Sequence, residues 1–358
     1  MRSVRSLLSR GQTQTVQRMM QTQMQRQMQR QRQMGQSRGL ATQLKPLGFI
    51  GLGHMGSKMV ANLSKEGRKV VVFDASAEAV MRTLEMPDLS PSVTSGSIAD
   101  IAATCEVVFS MLPNDAIVSS VSDSLMSGSK ESGNTFLHIS CSTISPSTAR
   151  ALAIKHTEAG IRLATSPVFA RPDGISKRQA TWMVGGAEAD RRVTAELLGP
   201  LGNVVDMGDD VGAANVVKLC GNFLIAASIE AISESAALAE KNGVDREKVM
   251  GILSSSIFDC LIYKGYGQRV TQRDHRPGGF SLALGLKDVS LVSQAARETD
   301  TPMPFLSVLL DRYVSAKAKG RGEFDWSAIG LGVAEEAGID VTADVKRTER
   351  DVKEGNLY

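Results

Sequence analysis

The stretch that decides the fold is Leu47-Gly48-Phe49-Ile50-Gly51-Leu52-Gly53-His54-Met55-Gly56. Its apolar start leads into Gly-x-Gly-x-x-Gly, and residues with helical spacing follow. Strand, tight turn and helix start is the context in which such glycines bind a dinucleotide. Gly51 allows the turn, Gly53 lets the backbone approach a pyrophosphate, and Gly56 lets helix and strand pack, while the helix N-terminus favours phosphate. The alternative is a glycine-rich turn in another kind of α/β protein.

A carboxylate follows the next strand candidate. The segment from Lys69 to Phe73 has the composition of a strand and ends at Asp74, 23 residues after Gly51. A carboxylate there accepts both hydroxyls of an adenosine ribose and repels a 2′-phosphate. We therefore predict a dinucleotide site that prefers NAD to NADP.

The charge is unevenly distributed along the 358 residues, a length that suits about two domains. Residues 1–46 contain eight Arg and one Lys but no acidic residue, so the remainder carries 32 basic and 38 acidic residues. The body is thus slightly acidic, which argues against a nucleic-acid-binding surface on it. By sequence, no uncharged apolar run approaches the ~20 residues of a membrane helix.

Residues 1–46 are predicted to be a mitochondrial transit peptide removed near residue 40, which would place the mature protein in the matrix. The segment begins with a basic amphipathic stretch, continues as a Gln/Met/Arg tract and ends just before the first strand. An inert disordered Gln-rich tail and a nucleic-acid-binding arm are the alternatives.

The cysteines and histidines suggest no metal site. The cysteines lack metal-ligand spacing and are expected to be free thiols. They are Cys105, Cys141, Cys220 and Cys260. Of the histidines, only His54 lies in a motif, where it could contact phosphate or simply fill space.

From Leu47 to about Met207 the pattern alternates between strand and helix and predicts a doubly wound, mostly parallel α/β sheet. The predicted strands are Leu47–Leu52, Lys69–Asp74, Glu106–Leu112, Thr135–Ser140, Ile161–Pro167, Thr181–Val184 and Val204–Met207. Ser145 is a plausible cap for a helix over Pro146–Ala159. Ligands of such sheets bind beyond the carboxyl ends of the strands. That rule puts Asp74, Leu112-Pro113 and Ser142-Thr143 on one rim.

The second half is predicted to be all-α and to be built on one long connecting helix. Val211–Ala239 is apolar on nearly every side, which indicates a buried helix. Asp209 or Asp210 could cap its start, and Gly243 lies just past its end. Further helices are expected over Asp245–Ser255, Leu282–Glu298 and Pro304–Lys319. The predicted domains are 47–208 and 209–345, with a tail over 346–358.

Lys218 is the most informative residue outside the glycine turn. A lysine in a buried helix is costly unless it is paired or functional. Asn222 lies four residues later on the same helical face, so both groups could meet one small ligand in the cleft between domains. A partly desolvated lysine has a lowered pKa, which suits a general acid/base. The alternatives are a lysine that reaches the surface or one that pairs with a carboxylate.

Together these stretches resemble the β-hydroxyacid dehydrogenase family, whose members include 3-hydroxyisobutyrate dehydrogenase, over nearly everything from Leu47 to Ile329. The resemblance rests on residues 48–56 and on Met111-Leu112-Pro113-Asn114, Ser142-Thr143-Ile144-Ser145-Pro146, Gly212 with Lys218 and Asn222, and Phe280 with Lys287-Asp288. It implies a Rossmann domain followed by an all-helical domain, and a homodimer or homotetramer.

The resemblance also implies roles for individual residues. Lys218 matches the catalytic lysine and Asn222 the substrate-positioning asparagine. Cofactor contacts are implied for Leu112, Pro113, Thr143, Phe280 and Lys287. They add to those predicted above for the glycine turn (Gly51, Leu52, Gly53, His54, Met55 and Gly56) and for Asp74. Ser142 matches a substrate-binding serine. Without the resemblance, Lys287-Asp288 would be taken for an ordinary surface charge pair.

Two departures affect the substrate half. Where the family has Pro-Val-Ser-Gly-Gly, this chain has Pro167-Val168-Phe169-Ala170-Arg171, and Gly221 replaces the first asparagine of a Lys-x-x-Asn-Asn block. The family loop brings backbone N–H groups to the substrate carboxylate. Arg171 could take over that task, or it could be a surface residue before Pro172.

The resulting hypothesis is NAD-dependent oxidation of a small 3-hydroxy acid to its semialdehyde, or the reverse, with Lys218 as general acid/base. The expected partner is a small hydroxy acid or aldehyde acid. No binding to nucleic acid or to a membrane is expected. One alternative is a reductase of the same fold that acts on glyoxylate, succinic semialdehyde or an imine. Others are a non-catalytic nucleotide-binding protein and, less directly, a nucleic-acid-associated protein acting through residues 1–46.

Overall fold

The computed structural model describes residues 45–357, so the predicted transit peptide lies outside the described residues except for its last two positions. Nine strands alternate with helices up to Asp206. The strands are β1 Leu47–Ile50, β2 Val70–Phe73, β3 Val93–Ser95, β4 Val107–Ser110, β5 Leu137–Ser140, β6 Arg162–Thr165, β7 Val168–Phe169, β8 Ala180–Gly186 and β9 Gly202–Asp206. The helices among them are α1 His54–Lys65, α2 Ala77–Leu84, α3 Ile98–Thr104, α4 Asp115–Ser132, α5 Pro146–Glu158, α6 Pro172–Ser176 and α7 Glu188–Leu198.

The nine strands form one sheet in the order β3-β2-β1-β4-β5-β6-β8-β7, with β9 paired to β8. The first six are parallel, and the chain order reverses at β1, as in a doubly wound sheet. β8 runs antiparallel to β6 and β7. The predicted α/β class is confirmed, although the short strands β3 and β7 were not predicted.

The central strands are apolar because both of their faces are covered. All four residues of β1 and of β4 are buried. Ser145 caps α5, as predicted, since its hydroxyl oxygen accepts a hydrogen bond from Thr148 N–H at 3.1 Å.

The second half is all-helical: residues 213–357 contain no strand, and an isolated bridge joins Ser281 to Asp325. Its helices are α8 Ala213–Lys241, α9 Arg246–Ser254, α10 Leu261–Gln272, α11 Leu282–Glu298, α12 Pro304–Ala318, α13 Ile329–Glu336 and α14 Thr342–Glu354. The three predicted helices after α8 match α9, α11 and α12 to within a residue. No prediction covered α10, α13 or α14.

Helix α8 is the long connecting helix, but two predictions about it are wrong. Neither Asp209 nor Asp210 caps it; the N-cap is Gly212, and the two carboxylates instead form ion pairs with Arg191 and Arg150. It is also not buried on every side, because Leu224 and Leu238 are 62% and 68% exposed.

Helix α8 is long and apolar enough to cross a membrane. Core helices of soluble proteins meet the same criteria of length and hydropathy. Residues such as Ala226, Ile229 and Ile232 lie in the apolar core that α8 shares with the later helices. Burial against protein accounts for this part of its apolar surface.

Candidate active site

The glycine turn has the geometry that a bound pyrophosphate needs. Gly51 has φ +98°, and a Cβ there would overlap the Met111 carbonyl oxygen. A Cβ on Gly56 would overlap the carbonyl oxygen of Gly51, so this glycine permits the close packing of α1 on the turn. A Cβ on Gly53, by contrast, would meet no described atom within 4 Å, and Gly53 and His54 are exposed.

The start of α1 is open toward this space. Gly53 is the N-cap residue, and no side chain caps the helix. The first-turn N–H groups and the positive end of the helix dipole can therefore receive a phosphate. These features fit a dinucleotide.

Asp74 lies beside the turn, at the carboxyl end of β2. Its Oδ2 accepts a hydrogen bond from Leu52 N–H at 2.7 Å, and its Oδ1 accepts one from Ser76 N–H at 2.8 Å. The two bonds fix the carboxylate at the rim where an adenosine ribose is expected.

The loop after β4 packs against the same turn. Met111 N–H donates to Ile50 O at 2.9 Å, and Leu112 N–H donates to the hydroxyl of Ser142 at 2.7 Å. Ser142 is buried, and Pro113, next along the loop, is exposed. The structure thus joins Leu112 and Ser142 at the predicted rim.

Lys287 connects this rim to the helical half. Its ammonium group donates to Thr143 O at 2.8 Å and lies 2.6 Å from the Oδ1 of Asp288. Asp288 is 1% exposed, so the pair is not the surface charge pair that the residues alone suggest. The other carboxylate oxygen of Asp288 accepts a hydrogen bond from the amide of Asn222.

Lys218 lies in the second turn of α8, next to this network. The residue is partly exposed, and the protein around its ammonium group removes part of its hydration. Burial lowers the pKa of Lys218 to about 8; the charge of Asp288 opposes this effect and that of Lys287 adds to it. Its nitrogen lies 4.7 Å from the centre of the Phe169 ring and forms no ion pair with any carboxylate of residues 45–357.

Arg171 and Phe280 belong to a neighbouring aromatic group. The Arg171 guanidinium lies 5.9 Å from the centre of the Tyr266 ring. Trp326 packs edge-on against both Tyr266 and Phe280, with ring centres 5.8 Å and 4.9 Å away. Phe280 therefore belongs to the aromatic group near Arg171. Lys287, by contrast, contacts Thr143 at the sheet rim.

Asp288 and Phe169 are the residues whose positions the sequence did not reveal. Asp288 contacts both Asn222 and Lys287, and Phe169 lies against Lys218. For Asp288 the only signal was its place after Lys287 in a recognised motif. For Phe169 it was the departure from the family loop.

Comparison with known proteins places the chain in a family. A family model described as the NAD binding domain of 6-phosphogluconate dehydrogenase matches residues 46–212. A second, described as NAD-binding of NADP-dependent 3-hydroxyisobutyrate dehydrogenase, matches residues 212–331. The mitochondrial 3-hydroxyisobutyrate dehydrogenase of Drosophila melanogaster is 32% identical over 82% of this chain and 91% of its own length. The chain belongs to the β-hydroxyacid dehydrogenase family.

The chain is also similar to a bacterial oxidoreductase and to a solved structure. An uncharacterised oxidoreductase of Bacillus subtilis, YfjR, is 32% identical over 78% of the chain and 96% of its own length. The structure of Mycobacterium tuberculosis 3-hydroxyisobutyrate dehydrogenase with L-serine has a TM-score of 0.71 at 27% identity and covers 81% of this chain and 99% of its own.

Membership in the β-hydroxyacid dehydrogenase family confirms the predicted oxidoreductase class: the chain is an NAD(P)-dependent hydroxyacid dehydrogenase. A nicotinamide cofactor is supported in this general form, and the residues that match the NAD binding domain model include the glycine turn. A small-molecule substrate is consistent with the relatives.

Proposed function

We propose that this enzyme oxidises a small 3-hydroxy acid of the 3-hydroxyisobutyrate type to its semialdehyde, or runs the reverse reaction, with NAD as hydride carrier and Lys218 as general acid/base. The observation that carries the proposal is the partly desolvated ammonium group of Lys218, which feels the charges of Asp288 and Lys287. Asp288 also holds Asn222, and Lys287 contacts Thr143 at the sheet rim.

Lys218 would move the proton. When bound, NAD supplies the acceptor for the hydride that leaves the carbinol carbon. With a pKa of about 8, Lys218 has a neutral fraction at neutral pH that can take the hydroxyl proton, and its charged form can return it in the reverse direction.

Asn222 would orient the reacting oxygen. One amide N–H is donated to Asp288, which holds the amide plane and leaves the carbonyl oxygen and a second N–H for the substrate. Asp288 is thus a positioning residue in this proposal, because it acts through Asn222 and Lys218.

The acid end of the substrate would be bound by Ser142 and Arg171. The Ser142 oxygen accepts the Leu112 N–H, so its own O–H is a donor. A guanidinium such as that of Arg171 is well suited to a carboxylate.

The preference for NAD over NADP would come from Asp74. Its carboxylate is held by backbone N–H groups at the end of β2, where it can accept ribose hydroxyls and would repel a 2′-phosphate. The contacts at Gly51 through Gly56, Leu112, Pro113, Thr143, Phe280 and Lys287 would complete the cofactor site.

Location and assembly are part of the proposal. We propose that residues 1–46 direct the protein to the mitochondrial matrix, that 47–208 and 209–345 act as nucleotide-binding and helical domains, and that the enzyme is a homodimer or homotetramer. The basic, acid-free N-terminal sequence and the exposed Leu224 and Leu238 support these points. A fluorescent reporter fused to residues 1–46 tests the first of them, because mitochondrial import is expected and nuclear retention would contradict it.

The central test is an absorbance screen at the NADH band with 3-hydroxy acids and their aldehydes, with NAD and NADP side by side. Lys218→Ala should abolish turnover while NAD binding stays measurable. Lys155→Ala is the control, because Lys155 is an exposed lysine paired with Asp123. A Lys218→Ala enzyme that keeps more than a few per cent of the rate would remove Lys218 from the mechanism.

A further inference from the structure

The ring of Phe169 packs against helix α8 at Gly221, which has no side chain. A Cβ on Gly221 would overlap the Cζ and Cε1 atoms of this ring. Glycine is unfavourable inside a helix, so its presence in the middle of α8 needs a reason. The ring supplies one, because no side chain at position 221 fits while Phe169 is in place.

The same ring covers the side chain of Lys218. Its centre lies 4.7 Å from the Lys218 nitrogen, which places the amine and Gly221 against one aromatic group. The two departures from the family pattern, at positions 169 and 221, are therefore one structural feature rather than two independent ones.

The backbone that carries Phe169 is fixed on both sides. β7 pairs with β8, with Phe169 opposite Thr181. The chain then enters α6, where Ile175 is buried and its carbonyl oxygen accepts a hydrogen bond from Asn62 at 2.6 Å. The ring is thus held by regular structure and does not depend on a long loop.

An aromatic wall at this place has a consequence for the substrate. A hydroxyl that gives its proton to Lys218 must come within about 2.6–3.2 Å of the nitrogen. The carbon skeleton next to that hydroxyl then lies close to the Phe169 ring. A second hydroxyl on the skeleton would lose its hydrogen bonds to water there and find no partner on the ring, which costs binding free energy. A methyl group makes no such hydrogen bonds and carries no such cost.

We propose that Phe169, seated on Gly221, is a specificity-determining residue that selects hydroxy acids with an apolar substituent next to the reacting carbon over those with a hydroxyl there. The proposal rests on the proposed function, in which Lys218 accepts the substrate proton. It deepens that function by naming the residue that selects among small 3-hydroxy acids.

The substrates for the test differ by one group. 3-Hydroxyisobutyrate and glycerate share a three-carbon hydroxy acid skeleton, and a methyl group in the first replaces a hydroxyl in the second. The wild-type enzyme should prefer 3-hydroxyisobutyrate in kcat/KM with NAD. Phe169→Ser should lower this preference by about 10-fold, because it replaces the apolar wall with a hydroxyl.

Two controls accompany this variant. Phe169→Leu keeps an apolar side chain and should keep most of the preference. Phe258→Ser removes an aromatic residue whose ring stacks on Tyr263 at 4.6 Å, and it should leave the preference unchanged. An unchanged ratio in Phe169→Ser would overturn the inference.

A second measurement tests the seating of the ring without turnover. Gly221→Asn should lower the midpoint of thermal unfolding by about 3 °C or more in the wild-type background, because the ring must move. The same substitution in a Phe169→Ser background should cost nothing. Gly251→Asn, in α9 where a Cβ would meet no described atom within 4 Å, is the matched control and should be tolerated.

The outcomes separate the two proposals. If the wild-type enzyme oxidises neither acid with NAD or NADP, the proposed function fails, and the selectivity assigned to Phe169 fails with it. This holds even if Gly221→Asn destabilises the wild-type protein more than the Phe169→Ser variant. If it oxidises 3-hydroxyisobutyrate but Gly221→Asn costs the same in both backgrounds, or the substrate ratio ignores residue 169, only the inference about Phe169 fails.

Discussion

Replacing Lys218 with methionine should stabilise the protein while abolishing turnover. Burial lowers the pKa of Lys218 from its ordinary 10.5 to about 8. At pH 7, where the amine is charged in both the folded and the unfolded chain, this difference corresponds to about 3 kcal/mol of lost stability. Methionine keeps an apolar stem of similar length without the charge.

Two effects reduce the expected gain. The variant loses the contact between the ammonium group and the Phe169 ring, which is worth about 1 kcal/mol. Lys218 is also partly exposed as a residue, so some water screens its charge. We expect a net increase of about 2 kcal/mol in the free energy of unfolding, or about 4 °C in the midpoint for a chain of this size.

The gain should depend on pH in a defined direction. Below pH 8 the folded protein carries the full cost of the buried charge. As pH rises from about 8 to 10.5, the folded lysine is neutral while the unfolded one still holds its proton, so the wild-type protein regains stability. The advantage of Lys218→Met should therefore be largest at pH 7 and shrink above pH 8.

Urea unfolding followed by circular dichroism at pH 7, 8 and 9 measures this difference. Lys155→Met, at an exposed lysine, is the control and should change stability by less than about 0.5 kcal/mol. If Lys218→Met is less stable than wild type at pH 7, or its advantage is the same at every pH, the lysine is not buried as a strained charge and the reasoning is refuted.

Three further predictions concern the cofactor and the proton. Gly51→Ala should weaken NAD binding and destabilise the protein by about 1–3 kcal/mol, because Gly51 has φ +98° and its Cβ would overlap Met111. Gly53→Ala, whose Cβ would lie in open space, should weaken NAD binding with little loss of stability. Equal losses of stability in the two variants would contradict this prediction. Asp74→Ala should raise kcat/KM with NADP relative to NAD; a wild-type enzyme that already prefers NADP would show that Asp74 has another role. The kcat/KM for oxidation should rise with pH and level off above about 8, the pKa of Lys218, whereas that for reduction should fall there; a flat profile in both directions would exclude Lys218 as the titrating group.

Much of the architecture follows from local patterns in the sequence. The runs at β1 and β4 are mainly apolar because both sheet faces are covered, so composition alone locates them. β3 and β7 have three and two residues, and their pairing depends on neighbours that are distant in sequence. Such short segments carry too little periodicity to be recognised.

The ends of α8 show what local reasoning misses. Asp209 and Asp210 precede the helix, as capping residues would. However, Asp209 forms an ion pair with Arg191, and Asp210 forms one with Arg150. The arginines lie 18 and 60 residues away, so no local rule includes them. Gly243, by contrast, has φ +72° just after the helix, as its position predicts.

The candidate site divides in the same way. The glycine turn and Asp74 belong to one strand–turn–helix–strand unit of recurring length, so they could be predicted from spacing. The positions of Asp288 and Phe169 could not, since that of Asp288 depends on how α11 packs against α8, and that of Phe169 depends on how α8 packs against β7. Asp288 in particular is adjacent to a charged residue, a pattern that usually indicates a surface.

Two consecutive residues of α11 serve different neighbours: Lys287 contacts the backbone of Thr143 on the sheet rim, and Asp288 contacts Asn222 of α8. A shift of this one turn would disturb both neighbours together. A protein engineer who wishes to change the dinucleotide without harming proton transfer should leave this turn alone and begin at Asp74, just after β2, because Asp74 makes neither contact.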